Sequence, residues 1–204
     1  NDEAYPDAHK ALGDMFLFQA STYVSDPERD VVSSTYEEAL ARYDAAIEVA
    51  PDYVEAYEGR AQVHIAMDDP ASAISDLQSA LDIDPRNADA YAAMAMALML
   101  QEDYEEAIRT AQLALNLDPE NAQAQNAAGM AFYYLGQLGA ASQHFMDAVK
   151  ADPTLHQSYT NLGNTFYQMG SWPRARAQYE EALERIPTPA IANTAVQRSY
   201  LYYL

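Results

Sequence analysis

Residues 81–91 read "LDIDPRNADAY" and residues 115–125 read "LNLDPENAQAQ". The two lines lie 34 residues apart, and prolines keep the same step at Pro51, Pro85, Pro119, Pro153 and Pro187. Alanines keep it too: Ala39, Ala73, Ala107, Ala141 and Ala175 form one series, and Ala46, Ala80, Ala114, Ala148 and Ala182 another. Three positions recurring in five successive windows mark an array of small repeated units.

Inside a unit the apolar period is helical. Ala107, Ile108, Ala111, Ala114 and Leu115 follow the i, i+3, i+4, i+7, i+8 pattern of one helix face. Each unit holds two such stretches, parted by a short break such as Gln101-Glu102-Asp103, Gly136-Gln137 or Gly170-Ser171. Asn87 and Asn121 stand where helix N-caps are needed, and the proline before each ends the preceding helix. The recurring alanines mark places where two helices approach closely, because a larger side chain would hold them apart.

The unit 156–189 carries Tyr159, Leu162-Gly163, Phe166, Ala175, Tyr179 and Pro187, and the unit 122–155 carries Gly129, Phe132, Ala141, Phe145 and Pro153. This resembles the tetratricopeptide repeat, whose pattern is W-x₂-L-G-x₂-Y, then A-x₃-F, then P. Units 54–87 and 88–121 keep Tyr57 and Tyr91, with Ala61 and Ala95 at the usual glycine. The resemblance implies an all-α, right-handed superhelical solenoid of five helix-turn-helix repeats and a C-terminal cap helix. The array fills residues 1–204 as one domain, with repeats at about 6–53, 54–87, 88–121, 122–155 and 156–189 and the cap at 190–204. Repeat one holds about 14 extra residues near 15–35; Asp26-Pro27 and Ser33-Ser34 favour a loop around 25–35 over an extended first helix.

Net charge is −20, which argues against nucleic acid as a partner. Residues 1–121 hold 26 acidic side chains against 6 basic ones, whereas residues 122–204 hold 5 against 5. A halophilic surface would spread acid evenly, so a localised acidic face fits better. The longest apolar run, Tyr91–Leu100, falls far short of the roughly 20 residues a membrane span needs, so no membrane insertion is expected. The chain has no cysteine, which removes thiolate metal sites and thiol catalysis and leaves the compartment open. It opens on Asn1, as a trimmed or processed chain would.

Nothing in the sequence has the spacing of an active site. His9, His64, His144 and His156 show no i, i+3 or i, i+4 pairing, so no metal and no cofactor is expected. His64 reads as helix packing and His144 as solvated. No phosphate-binding glycine loop or nucleophile elbow occurs, and the reading is of a protein that is not an enzyme.

The resemblance places a binding groove along the first helix of each unit, at its second, fifth, ninth, twelfth and thirteenth residues. Those positions supply Glu55, Glu58, Gln62, Asp89, Met96 and Met99, then Asn126, Met130, Tyr133, Asn164 and Tyr167. Such a groove is acidic at one end, methionine-lined in the middle, and tyrosine- and amide-lined at the other. Tyr133 and Tyr167 are expected to stack along one wall, and Asn126 and Asn164 to hold a ligand backbone. The basic clamp by which one subclass grips chaperone carboxylates is missing. The expected partner is another protein or peptide, basic and partly apolar, held by an interaction scaffold or adaptor. Two alternatives stand beside this: a self-assembly module, forming a homo-oligomer through Tyr202, Tyr203 and Leu204, and an auxiliary domain of a larger protein.

Overall fold

The computed structural model describes residues 5–23 and 29–185, with side chains from 5 to 20 and from 34 to 185. Every regular element among them is an α-helix: α1 (Pro6–Tyr23), α2 (Arg29–Val49), α3 (Val54–Ala66), α4 (Pro70–Ile83), α5 (Ala88–Leu100), α6 (Tyr104–Leu117), α7 (Ala122–Tyr134), α8 (Leu138–Ala151), α9 (His156–Gln168) and α10 (Trp172–Arg185). From α3 onward the starts keep the sequence period: Val54, Ala88, Ala122 and His156 are 34 apart, as are Pro70, Tyr104, Leu138 and Trp172.

Local chemistry sets these boundaries. Asn87 and Asn121 cap α5 and α7, each side-chain oxygen accepting at 2.9 Å from the backbone N–H three residues on. Asp69 does the same for α4 through Ser72, with Pro70 in the first turn. The helices α3, α5, α7 and α9 all end in one motif. In α9 the N–H of Gly170 donates to the Tyr167 carbonyl and that of Ser171 to the Phe166 carbonyl, at 2.9 and 2.8 Å. The residue that turns the chain there has positive φ: Gly136 and Gly170 at 72°, but Asp68 at 60° and Glu102 at 62°. Only glycine adopts that conformation without strain.

The chain divides into two compact units, Asn1–Asp103 and Tyr104–Leu204. In the first, α1 pairs with α2, α3 with α4, and α5 packs on α4. Its core holds Ala39, Tyr43, Ala46 and Val63 in one cluster and Ala61, Ala73, Leu77 and Ala80 in another. In the second, α7 pairs with α8 and α9 with α10, around Ala141, Phe145, Leu162, Phe166 and Ala175. All ten periodic alanines are buried, none more than 4% exposed.

Close approach within a pair rests on a match of sizes. A Cβ added to Gly129 would sit 2.7 Å from the Phe145 ring, and one added to Gly163 would sit 2.5 Å from the Tyr179 ring. In the first unit Gly13 meets Tyr43 in the same way, at 2.8 Å. Where the glycine gives way to Ala61, the facing residue is Leu77 instead of an aromatic ring.

The extra residues near the start are built otherwise than the loop expected around 25–35. α1 runs to Tyr23 and α2 starts at Arg29, so the two helices have 18 and 21 residues against 13 or 14 elsewhere. Ser33 and Ser34 lie inside α2. Their weak helix propensity is overridden by packing within the same turn, where Thr35 and Tyr36 are buried. The expected cap 190–204, with Tyr202, Tyr203 and Leu204, lies outside the described residues.

The glycine–aromatic match yields a test. Gly163→Ala is expected to cost about 1–3 kcal/mol through overpacking against Tyr179, but to be neutral or favourable once Tyr179→Leu has been introduced. Urea denaturation of the four proteins in the cycle measures the coupling, and strictly additive effects would mean the two residues do not set each other's size.

Candidate peptide-binding faces

In the first unit the exposed sides of α3 and α5 carry a cluster of carboxylates. Glu55 and Asp89 are exposed and Glu58 is half-buried between them. Asn87 holds Glu58 in place: its amide donates to Glu58 Oε1 at 2.8 Å while its oxygen caps α5. Burial raises the Glu58 carboxyl above the ordinary glutamate range. The Asn87 bond and Lys10 pull it down, and Asp89 and Glu55 push it up further. Gln62, one turn further along α3, is exposed. Beside this cluster Lys10 pairs with Asp14 at 2.8 Å, and the buried Tyr43 hydroxyl donates to the same carboxylate at 2.7 Å. Tyr53 donates to Asp7 at 2.8 Å; burial and that bond push its hydroxyl up to about 12.

The methionines divide. Met96 is half-buried, whereas Met99 is only 5% exposed and belongs to the interior. The twelfth position of the unit faces inward here, so the methionine expected in mid-groove reduces to Met96.

The second unit presents an aromatic and amide surface. Tyr133 meets Tyr134 edge-on, with centroids 5.7 Å apart, and Tyr134 stacks on Tyr104 at 5.2 Å. Tyr167 meets Trp172 edge-on at 4.8 Å. Among the described residues Tyr133 and Tyr167 therefore each take another ring rather than stacking on one another. Both lie near Tyr179, whose hydroxyl is raised by burial first and by these two neighbours next. Tyr134 and Trp172 are 59% and 58% exposed, enough for a ligand to reach their ring faces.

The two asparagines differ in role. Asn126 is buried; its oxygen accepts from Ser158 at 3.0 Å and from Asn161 at 3.1 Å, and its amide reaches the sulfur of the half-buried Met130. It ties α7 to α9 and is not free to hold a ligand. Asn164 is exposed, and its oxygen accepts from the Tyr179 hydroxyl at 2.7 Å, which leaves its NH₂ facing outward as a donor.

Sequence reasoning missed Tyr104 and Trp172, the first residues of two second helices. The signal was available: both occupy the first position after the break, two periods apart. It also misjudged His144, which is half-buried against Phe132 and bonded through Nδ1 to Gln125 at 2.7 Å; burial lowers its pKa. Among the described residues no cluster of side chains could hold a metal ion, and no helix is long and apolar enough to cross a membrane.

Helical hairpins of fixed period, with first helices that keep a polar or aromatic side open, define a helical repeat protein built to meet other chains. Family profiles for the tetratricopeptide repeat match residues 34–68, 64–131, 122–155 and 157–186. The chain belongs to the tetratricopeptide-repeat family, whose members are generally non-catalytic protein-interaction scaffolds. No curated protein matches it in sequence. In structure it is similar to a thermophilic TPR protein in Thermus thermophilus, with a TM-score of 0.81 and 19% identity over 98% of this chain and 100% of that one. It is also similar to PilW, a type IV pilus biogenesis factor (TM-score 0.66, 20% identity, 85% and 77% covered). A third similar structure is YrrB, a TPR protein with an unusual peptide-binding site (TM-score 0.53, 23% identity, 89% and 90% covered). At these identities the likeness extends to the fold.

The raised Glu58 pKa gives a pH test with a definite sign. The folded state holds the Glu58 proton more tightly than the unfolded chain. The stability tied to that proton is present below the ordinary glutamate value of 4.5 and is lost as pH rises through the folded value. Glu58→Gln keeps an oxygen for Asn87 and removes the charge. Melting temperatures of the two proteins should coincide at pH 4 and part by pH 7, with the variant higher; the reverse order at pH 7 would contradict the burial argument.

Proposed function

We propose that the protein is an adaptor that captures extended segments of other proteins on the open sides of its first helices. The first unit takes a basic, partly apolar segment through Glu55, Glu58 and Asp89, with Gln62 and Met96 beside them. The second unit offers Tyr133, Tyr134, Tyr167 and Trp172 as rigid contact area, and Asn164 as a hydrogen-bonding group. The observation that carries the reading is the Asn87–Glu58 bond, which holds a carboxylate in position before any ligand arrives. A fixed anion among like charges loses little freedom on binding a cation and is relieved of repulsion by it. The peptide-binding site of the structurally similar YrrB is in keeping with this use of the fold.

The test uses a capped peptide of alternating lysine and leucine as probe. Its association rate should fall steeply as salt rises, since exposed charges are screened beyond roughly 8 Å at physiological ionic strength. Reversing Glu55 and Glu58 to lysine should slow association by about tenfold. Reversing Glu180 and Glu181, which pair with Arg176 and Arg185 on α10, should change it little. Stopped-flow measurement of the three proteins decides the matter: equal effects from both pairs would remove the acidic face from the account.

A further inference from the structure

A groove of the same build occurs in each unit, and the two versions have opposite chemistry. In the first unit it lies between α2 and α4 with α3 as floor, encloses about 290 Å³, and is lined by Asp44, Arg60, His64, Ser72 and Asp76. In the second it lies between α8 and α10 with α9 as floor, encloses about 480 Å³, and is lined by Met146, Leu162, Phe166, Arg174 and Gln178. The second set stands three repeat periods after the first, residue for residue.

The first version is closed by its own ions. Arg60 donates through Nε and Nη2 to the two oxygens of the buried Asp76 at 2.9 and 2.5 Å, and through Nη1 to Asp44 at 2.6 Å. His64 stands 3.7 Å from Asp69 and from Asp76. The guanidinium is thus held on both sides by carboxylates of its own unit.

In the second version both carboxylates are gone: Met146 stands for Asp44 and Gln178 for Asp76. The floor is apolar, with Leu162 and Phe166 for Arg60 and His64. The cation has moved to the rim. Arg174, where the first unit has Ser72, lies exposed with its guanidinium carbon 3.7 Å from the centre of the Phe166 ring. Its neighbours on α10 have carboxylates of their own, Arg176 with Glu180 and Arg185 with Glu181. Arg174 has none among the described residues. A guanidinium lying on an aromatic face keeps its in-plane N–H donors directed outward, in the fork that matches a carboxylate.

We infer that the groove between α8 and α10 is a second docking site, for an acidic peptide segment that places one bulky apolar side chain against Met146 and Val149, above the buried Leu162 and Phe166, and a neighbouring carboxylate on Arg174. The volume is within the range of sites that accept such groups. The partner supplies the anion that the first unit's groove supplies for itself. The site is separate from the first-helix faces and takes a ligand of the opposite charge, so one molecule can join an acidic segment to a basic one.

The full chain, labelled with ¹⁵N, is titrated with the capped peptide acetyl-Glu-Phe-Leu-Glu-amide, with acetyl-Lys-Phe-Leu-Lys-amide and acetyl-Glu-Gly-Gly-Glu-amide as comparisons. The acidic apolar peptide should shift amides of α8 and α10, above all Val149, Ala177 and Gln178, and bind at least tenfold more tightly than either comparison. Arg174→Glu should weaken it about tenfold and Arg174→Lys less. Ala177→Trp, at an exposed position on the groove wall, should block it while the melting temperature stays unchanged. The inference is overturned by equal binding of the lysine peptide, by indifference to Arg174→Glu, by shifts confined to α7 and α9, by absence of binding at millimolar peptide, or by groove shifts that follow protein concentration, which would make the occupant a second copy.

Discussion

How near two helices of a pair can come is the constraint on which the rest depends. A first helix and its second cross where one side chain must be small and the facing one fills the space left. Gly129 with Phe145 and Gly163 with Tyr179 satisfy this one way, Ala61 with Leu77 another. The alanine pair gives up an aromatic ring and gains helix propensity, since glycine costs a helix interior about 1 kcal/mol. The buried alanines keep the remaining contacts short. Because those positions are committed to packing, variation is confined to the open sides of the first helices and to the grooves between second helices. The two units differ in charge at both of these places.

The difference follows from the residues that replace one another at equal positions. Glu55 and Asp89 become Gln123 and Gln157 two periods on, so the acidic exterior of the first unit gives way to amides. The aromatic rings of the second unit gather at the C-terminal ends of α7 and α9, where Tyr134 and Trp172 stay exposed. The tetratricopeptide frame thus holds two chemically distinct surfaces at no change in backbone period.

The backbone was legible because its signals are local. Proline, the capping asparagines and the alanine spacing each act within a few residues, and they locate the helix starts from Val54 onward. The faces were legible only in part. Periodicity tells which way a residue points along its own helix, but not what another helix lays over it. Glu55 and Asn164 are open, whereas Asn126 points the same way as Glu58 and is covered by α9 through Ser158 and Asn161. Met99 is buried although no local sign marks the twelfth position as covered there. The early start of α2 escaped for another reason: Ser33 and Ser34 argued for a loop, and the burial of Thr35 and Tyr36 beside them overruled it.

Asn87 shows how a shared role restricts replacement. Helix caps treat asparagine and aspartate as near equals, and an aspartate there would cap α5 equally well. It would also turn the donor facing Glu58 into a second carboxylate, inside a cluster that already holds Glu55 and Asp89. One period on, where Asn121 is the cap, the fifth position of the same repeat holds Ala92 in place of Glu58. The cap beside Glu58 is therefore bound to its amide twice over, by the helix it begins and by the acidic surface it faces.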